Sequence, residues 1–322
     1  MNPFAAAVLC AAIAMPLAAQ QDVPAVSTQE PAAPAPNAAP IFPKVDPANF
    51  TAAAPTKETV DAFFNANWGY DTSRIWEVAA VLKTHVEGLS KVVVYVGDKT
   101  GKQKPQALVF YVLPDGQNMI IGDQLIPFGA KPFANNRAIL QQRADGPYRG
   151  SDSKDFELVE FADFQCPHCK AAQETMDKLV ADYPNARVVY QSFPLEKIHP
   201  ESFHAAAVGY CVAKMGGNKA FFTYAAAVFE GQEGLASPDS ATLTLNSAVS
   251  KAGLDPAKAG ECANLPATKA AVEAGSKLAT DLEVNETPLL MINGRPVPAT
   301  VPYDQLKIII DFQLKMDGLS AK

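Results

Sequence analysis

The sequence predicts an α/β protein with a helical insertion in its carboxy-terminal half, preceded by a small α+β unit and a Pro/Ala-rich linker. Three observations carry that expectation. After Tyr148, short apolar runs that read as strands alternate with amphipathic helical stretches. A Cys-Pro-His-Cys segment, Cys166 to Cys169, follows one of those runs and opens a helix. Between about residues 200 and 281 the chain is alanine-rich and reads as helix. Of 322 residues, 48% are hydrophobic, enough for two domains with real cores.

Residues 1–19 read as a secretory signal peptide. Phe4 to Met15 is apolar and shorter than the roughly 20 residues that span a bilayer. Pro16 ends it, and Ala18 and Ala19 mark a cleavage point. An uncleaved anchor is the alternative. Cys10 leaves with this segment, which places four cysteines (Cys166, Cys169, Cys211 and Cys262) in an exported chain where disulfides are permitted. Residues 20–55 form a disordered linker, since the stretch up to Thr56 holds eight prolines and little to bury.

Residues 56–147 form the first folded unit. Thr56 caps a helix carrying Val60, Phe63 and Phe64 on one face. Strand-like runs follow at Ile75 to Leu82, Lys91 to Val96 and Ala107 to Leu113. Pro114-Asp115-Gly116 turns the chain into Asn118 to Ile121, and a short helix spans Phe133 to Gln142. His85, after the first strand, is expected to be structural. Residues 148–322 form the second unit. Its strands are Phe156 to Ala162, Arg187 to Phe193, Leu289 to Asn293 and Arg295 to Val297, the last two joined by Asn293-Gly294. Its helices are the one after the cysteines, with Ala172, Met176, Leu179, Val180 and Tyr183 on one face, then the insertion, then Tyr303 to Leu314.

The net charge of −7 and the absence of any Lys/Arg run exclude a nucleic-acid partner. Cys166 and Cys169 invite three readings. A zinc site needs four ligands, and no second C-x-x-C is present, so no metal is assigned. A purely structural disulfide fits poorly at the start of a helix, where unpaired N–H groups and the dipole favour an anion. There a Cys166 thiolate is stabilised, with His168 beside it adding positive charge. An ordinary cysteine is only about 3% thiolate at pH 7, and each unit of pKa depression makes the couple about 30 mV more oxidising. Cys166 is therefore expected to be the exposed nucleophile, and Cys169, one turn further in, the buried resolving thiol.

Glu160 shares a strand face with Leu158 and Ala162. Beneath the pair it could accept the Cys169 proton; the alternative is a strand-edge glutamate reaching water. Thr287-Pro288 places a proline at the start of a strand, where a cis bond would expose the Thr287 backbone to an extended substrate. His199 and His204, at the start of the insertion, are expected to pack or cap.

Glu160, Cys166-Pro167-His168-Cys169 and Thr287-Pro288, in this order around a helical insertion, resemble the DsbA family of thioredoxin-fold thiol:disulfide oxidoreductases. The resemblance implies a thioredoxin fold from Tyr148 onward, Cys166 attacking, Cys169 resolving, Glu160 moving protons, and a cis Pro288 with Thr287 lining the substrate groove. It implies a second, structural disulfide between Cys211 and Cys262, two buried free thiols being the alternative. Thr287 stands where a typical DsbA has valine and is similar to the isomerase branch. The first unit, with FYVLPDGQNMIIGDQLIPF, resembles the dimerisation domain of the DsbC and DsbG isomerases.

The leading expectation is an extracytoplasmic, periplasmic oxidase that donates disulfides to exported proteins or peptides, is reoxidised by a membrane redox partner, and uses no cofactor. The alternatives are a homodimeric isomerase or reductase, and a non-catalytic binding protein for unfolded chains.

Overall fold

A computed structural model of the chain describes residues 41–100 and 104–320. The signal segment 1–19, Cys10 within it, and residues 20–40 of the expected linker lie outside the described residues. The described residues divide into two compact units, one ending at Pro132 and the other beginning at Phe133.

In the first unit, ordered chain begins ahead of Thr56, so the linker ends earlier than its composition suggests. Asp46 caps a 3-10 turn at Pro47–Asn49. Phe50 bridges to Val81, whose carbonyl accepts from the amides of Thr51 and Ala52. Half-buried Phe50 then packs on the core, which is what holds this proline-containing stretch in place. The helix α1, Lys57–Trp68, starts at Thr56, whose hydroxyl accepts from the Thr59 amide at 3.2 Å. It buries Val60, Phe63, Phe64 and Trp68. Against it lies an antiparallel meander of β1 (Arg74–Lys83), β2 (Ser90–Asp98), β3 (Gln106–Val112), β4 (Asn118–Ile121) and β5 (Gln124–Pro127). The sequence did not suggest β5; four residues ending in proline are too short to show alternation. Gly116, with φ 65°, makes the turn before β4. His85 sits exposed between β1 and β2.

The second unit opens with α2, Ala134–Arg143. Leu140 and Ala144 join a core with Val159 and Phe161, so this helix belongs here and the boundary falls at 132/133 rather than 147/148. The strands are β6 (Tyr148–Gly150), β7 (Glu157–Ala162), β8 (Arg187–Ser192), β9 (Leu289–Ile292) and β10 (Arg295–Pro298). They lie in the order β10-β9-β7-β8-β6. Only β7 and β8 are parallel; between them the chain crosses through α3, Pro167–Asp182. All six residues of β7 are buried, as befits the middle strand. Asn293 and Gly294, both at positive φ, close the β9–β10 hairpin. Helix α8, Tyr303–Asp317, ends the unit.

The insertion consists of α4 (Ser202–Glu230), α5 (Pro238–Lys251), α6 (Pro256–Ala263) and α7 (Pro266–Asp281). Helix α4 is broken at Gly217, whose φ of 70° and ψ of −170° only glycine adopts easily. Its core joins the sheet through Phe164, Tyr190, Phe221, Tyr224 and Phe229. Cys211 on α4 and Cys262 on α6 are disulfide-bonded, with Cα atoms 5.9 Å apart and a sequence separation of 51.

Closing a loop of that length should contribute about 4 kcal/mol through the unfolded chain. Replacing both Cys211 and Cys262 by alanine is expected to lower the urea-unfolding free energy by roughly 2–4 kcal/mol. An unchanged midpoint would show that the bridge adds nothing to the stability of the insertion.

Candidate active site

The site is built where β7 turns into α3. Phe161 and Ala162 end the buried strand, and residues 163–166 reverse the chain so that Cys166 becomes the N-cap of α3, with Pro167 in the first turn. Proline suits that turn because it has no N–H to leave unpaired. Cys169 follows one turn later on the inner face and is fully buried. Neither cysteine is bridged.

Asp163 fixes this turn. Its carbonyl accepts from the Cys166 amide at 3.1 Å, and its own amide donates to Cys169 Sγ at 3.4 Å. Its buried carboxylate takes the Gln165 amide at 2.7 Å, the Leu195 amide at 2.8 Å and His199 Nδ1 at 2.9 Å. From the insertion, Gln232 Nε2 donates to the carbonyls of Phe164, at 2.8 Å, and Cys166, at 3.0 Å. Gln165 donates to the Leu235 carbonyl.

On the other side stands Thr287-Pro288, joined by a cis peptide bond. Cys166 Sγ lies 3.4 Å from the Thr287 carbonyl oxygen, to which its thiol form donates, and the Thr287 hydroxyl is buried beside it. This cover corrects one expectation: Cys166 is only 4% exposed. Pro167 and His168 are the exposed members of the segment.

Two sulfurs one helical turn apart thus sit in opposite environments. The Cys169 thiol donates to Cys166, and with Thr287 and the Cys169 and His168 amides it outweighs burial, lowering the Cys166 pKa to about 5. Burial pushes Cys169 far up, its bond to Cys166 adds to this, and only the Asp163 amide opposes it. Glu160 lies on β7 between its register partners Tyr190 and Leu290, so it does not reach water at an edge. It is 3% exposed, and burial raises its pKa to about 8 against the weaker pull of Arg149 and Gln173. Gln173 Nε2 bridges Glu160 Oε1, at 3.2 Å, and the Cys169 carbonyl, at 3.1 Å.

The structure therefore gathers Glu160, Cys166, Pro167, His168, Cys169, Thr287 and Pro288 at one place. His199 was expected only to pack, but it touches the site through Asp163. His204 pairs at 3.5 Å with Glu201 at the start of α4 and is half-buried. Sequence reasoning passed over Asp163, Gln173, Tyr190 and Gln232. Of these only Asp163, a carboxylate ending an apolar run three residues before Cys166, left a visible signal. Among the described residues no cluster of potential ligands could hold a metal ion.

These shifts set opposed pH dependences for the reduced protein. Cys166 is ionised above about 5 when folded but only above about 9 when unfolded, so its contribution to stability grows as pH rises across that window. Glu160 stays neutral to about 8 when folded and ionises above 4.5 when unfolded, so its contribution falls as pH rises. Glu160→Gln removes the second slope. In reductant, its unfolding free energy is expected to gain on wild type by about 1.4 kcal/mol per pH unit between pH 5 and 8. A pH-independent difference would mean that Glu160 is ionised in the fold.

The chain is similar to a thioredoxin-like oxidoreductase from Silicibacter pomeroyi DSS-3, at 26% identity, covering 56% of this chain and 98% of that one, with a TM-score of 0.48. It is similar to the catalytic domain of Proteus mirabilis ScsC, at 22% identity over 56% of this chain and 98% of that one, with a TM-score of 0.46. It also matches the Na(+)/H(+) antiporter NhaA 1 of Mycolicibacterium vanbaalenii, 28% identical over 189 residues, or 57% of this chain. The chain spans only 28% of the length of that relative. Among the described residues no helix is long and apolar enough to cross a membrane. Residues 142–312, more than half of the chain, match the family model described as Thioredoxin, and the protein belongs to that family.

Proposed function

We propose that the protein is an extracytoplasmic thiol:disulfide oxidoreductase that works as an oxidase, passing the Cys166–Cys169 disulfide to exported proteins or peptides. The observation that carries this reading is the contrast between the two sulfurs: a stabilised thiolate on Cys166 and a buried, protonated Cys169. A substrate thiolate attacks Cys166 Sγ, and the Cys169 sulfur leaves with the bonding electrons. Glu160, neutral at pH 7, supplies its proton. A second substrate thiolate then attacks the substrate sulfur of the mixed disulfide. Cys166 departs as a thiolate, a good leaving group because its pKa is low. Two electrons pass from the substrate to the cysteine pair, and a membrane redox partner takes them on. The Thr287 backbone beside Cys166 suits an extended substrate segment, bound as an added strand.

The Cys211–Cys262 bridge and the signal-like residues 1–19 support an oxidising compartment, the periplasm. A second reading, a homodimeric isomerase or reductase, rests on Thr287 and on the separate first unit.

The equilibrium with glutathione separates the two. Between pH 7 and a Cys166 pKa of about 5 lie two units. They should make the couple about 60 mV more oxidising at pH 7 than the same pair with an unshifted thiol. A potential at or below that of thioredoxin would favour the second reading. Cys166→Ser is expected to abolish exchange, and Cys169→Ser to trap a substrate in a mixed disulfide on Cys166. Exchange retained by Cys166→Ser would sink both readings.

A further inference from the structure

Two tyrosines are buried in the aromatic cluster behind the cysteines. The Tyr224 hydroxyl donates to the Ala205 carbonyl at 2.8 Å. The Tyr190 hydroxyl, equally removed from solvent, has no hydrogen-bond partner. Its ring is held on two sides, by Phe164 at 5.2 Å and Phe221 at 5.2 Å between centroids. Phenylalanine would fill the same place without burying an unsatisfied hydroxyl. Tyr190 is also the β8 register partner of Glu160 on β7, so both side chains leave the same face of the sheet, toward the core that contains Cys169. The ionisable groups acting on its hydroxyl are Cys169 first, then Glu160, Asp163 and Tyr224. Arg149 and Asp177 act in turn on Glu160.

We propose that the Tyr190 hydroxyl, which bonds to neither sulfur in the reduced protein, turns to donate a hydrogen bond to Cys169 Sγ once that sulfur carries negative charge. This rests on the exchange mechanism above. When the Cys166–Cys169 bond breaks, a bond forms between Cys166 and the incoming sulfur, and the electron pair goes to Cys169. Burial makes that thiolate the costliest species on the path. The Asp163 amide already points at Cys169 Sγ; the Tyr190 hydroxyl, free of any other partner, supplies a second donor until Glu160 delivers its proton. Tyr190 keeps its own proton throughout. The reverse reaction, attack by Cys169, passes through the same thiolate and uses the same donor.

The test is the rate at which dithiothreitol reduces the oxidised full-length protein, measured for wild type and Tyr190→Phe from pH 5 to 9. The variant keeps the ring stack and deletes one oxygen. Loss of a hydrogen bond to a charged sulfur should slow reduction roughly tenfold. Re-oxidation by glutathione disulfide should slow by the same factor, leaving the equilibrium constant within twofold, because Cys169 is protonated in the stable reduced form. The Cys166 thiolate titration should not move. A fluorotyrosine at position 190, a stronger donor, should be no slower than wild type. Rates for Tyr190→Phe within twofold of wild type across the range would overturn the proposal. So would a slowing accompanied by a shifted equilibrium constant or Cys166 titration, which marks a structural effect. Failure of the oxidase reading is separately visible, as a wild-type protein that dithiothreitol reduces but that passes no disulfide to a reduced peptide.

Discussion

The second unit depends on holding two sulfurs one helical turn apart in opposite electrostatic surroundings. The Cys169 thiol does most of this for Cys166, and helix geometry adds to it. The cap position of α3 meets free amide groups and the positive end of the dipole, while the position three residues on turns inward to the core. Cys166 is thereby held as an anion, and Cys169 as a neutral thiol. A disulfide between such unequal partners is polarised in advance: Cys166 departs easily as a thiolate, and the difficulty of each step is concentrated on Cys169.

That difficulty explains the polar groups beneath the helix. A buried sulfur that must briefly ionise needs a proton source and donors already in place, because no water can reorient around it. In the proposed exchange these groups are Glu160 in the central strand, Gln173 linking it to the Cys169 carbonyl, and the Asp163 amide. Burial, which keeps Glu160 neutral at pH 7, also makes it an acid matched to that task.

The helical insertion shapes the site as well as covering the sheet. Gln232 and Leu235 hold the turn before Cys166 through backbone carbonyls, and Asp163 ties it to the segment leading into α4. A turn with this many fixed partners keeps the cysteine amides aimed at the sulfurs. The Cys211–Cys262 bridge fastens α4 to α6, so the insertion that supports the turn is itself restrained.

Local rules made much of this legible in the sequence. Helix starts at Thr56 and Cys166, strand runs on both sides of the insertion, the Asn293-Gly294 hairpin and the C-x-x-C at a helix start all follow from neighbours within a few residues. Short strands without alternation, β5 and β6, escaped, and α2 was attached to the wrong unit because its packing partners lie in β7. The buried state of Cys166, the Asp163–His199 pair, the Gln232 clamp and the orphaned Tyr190 hydroxyl were decided only by tertiary structure. Each depends on residues tens of positions apart in sequence meeting in one place. Sequence determined which groups can react; folding determined how far each is removed from water, and that removal sets their pKa values.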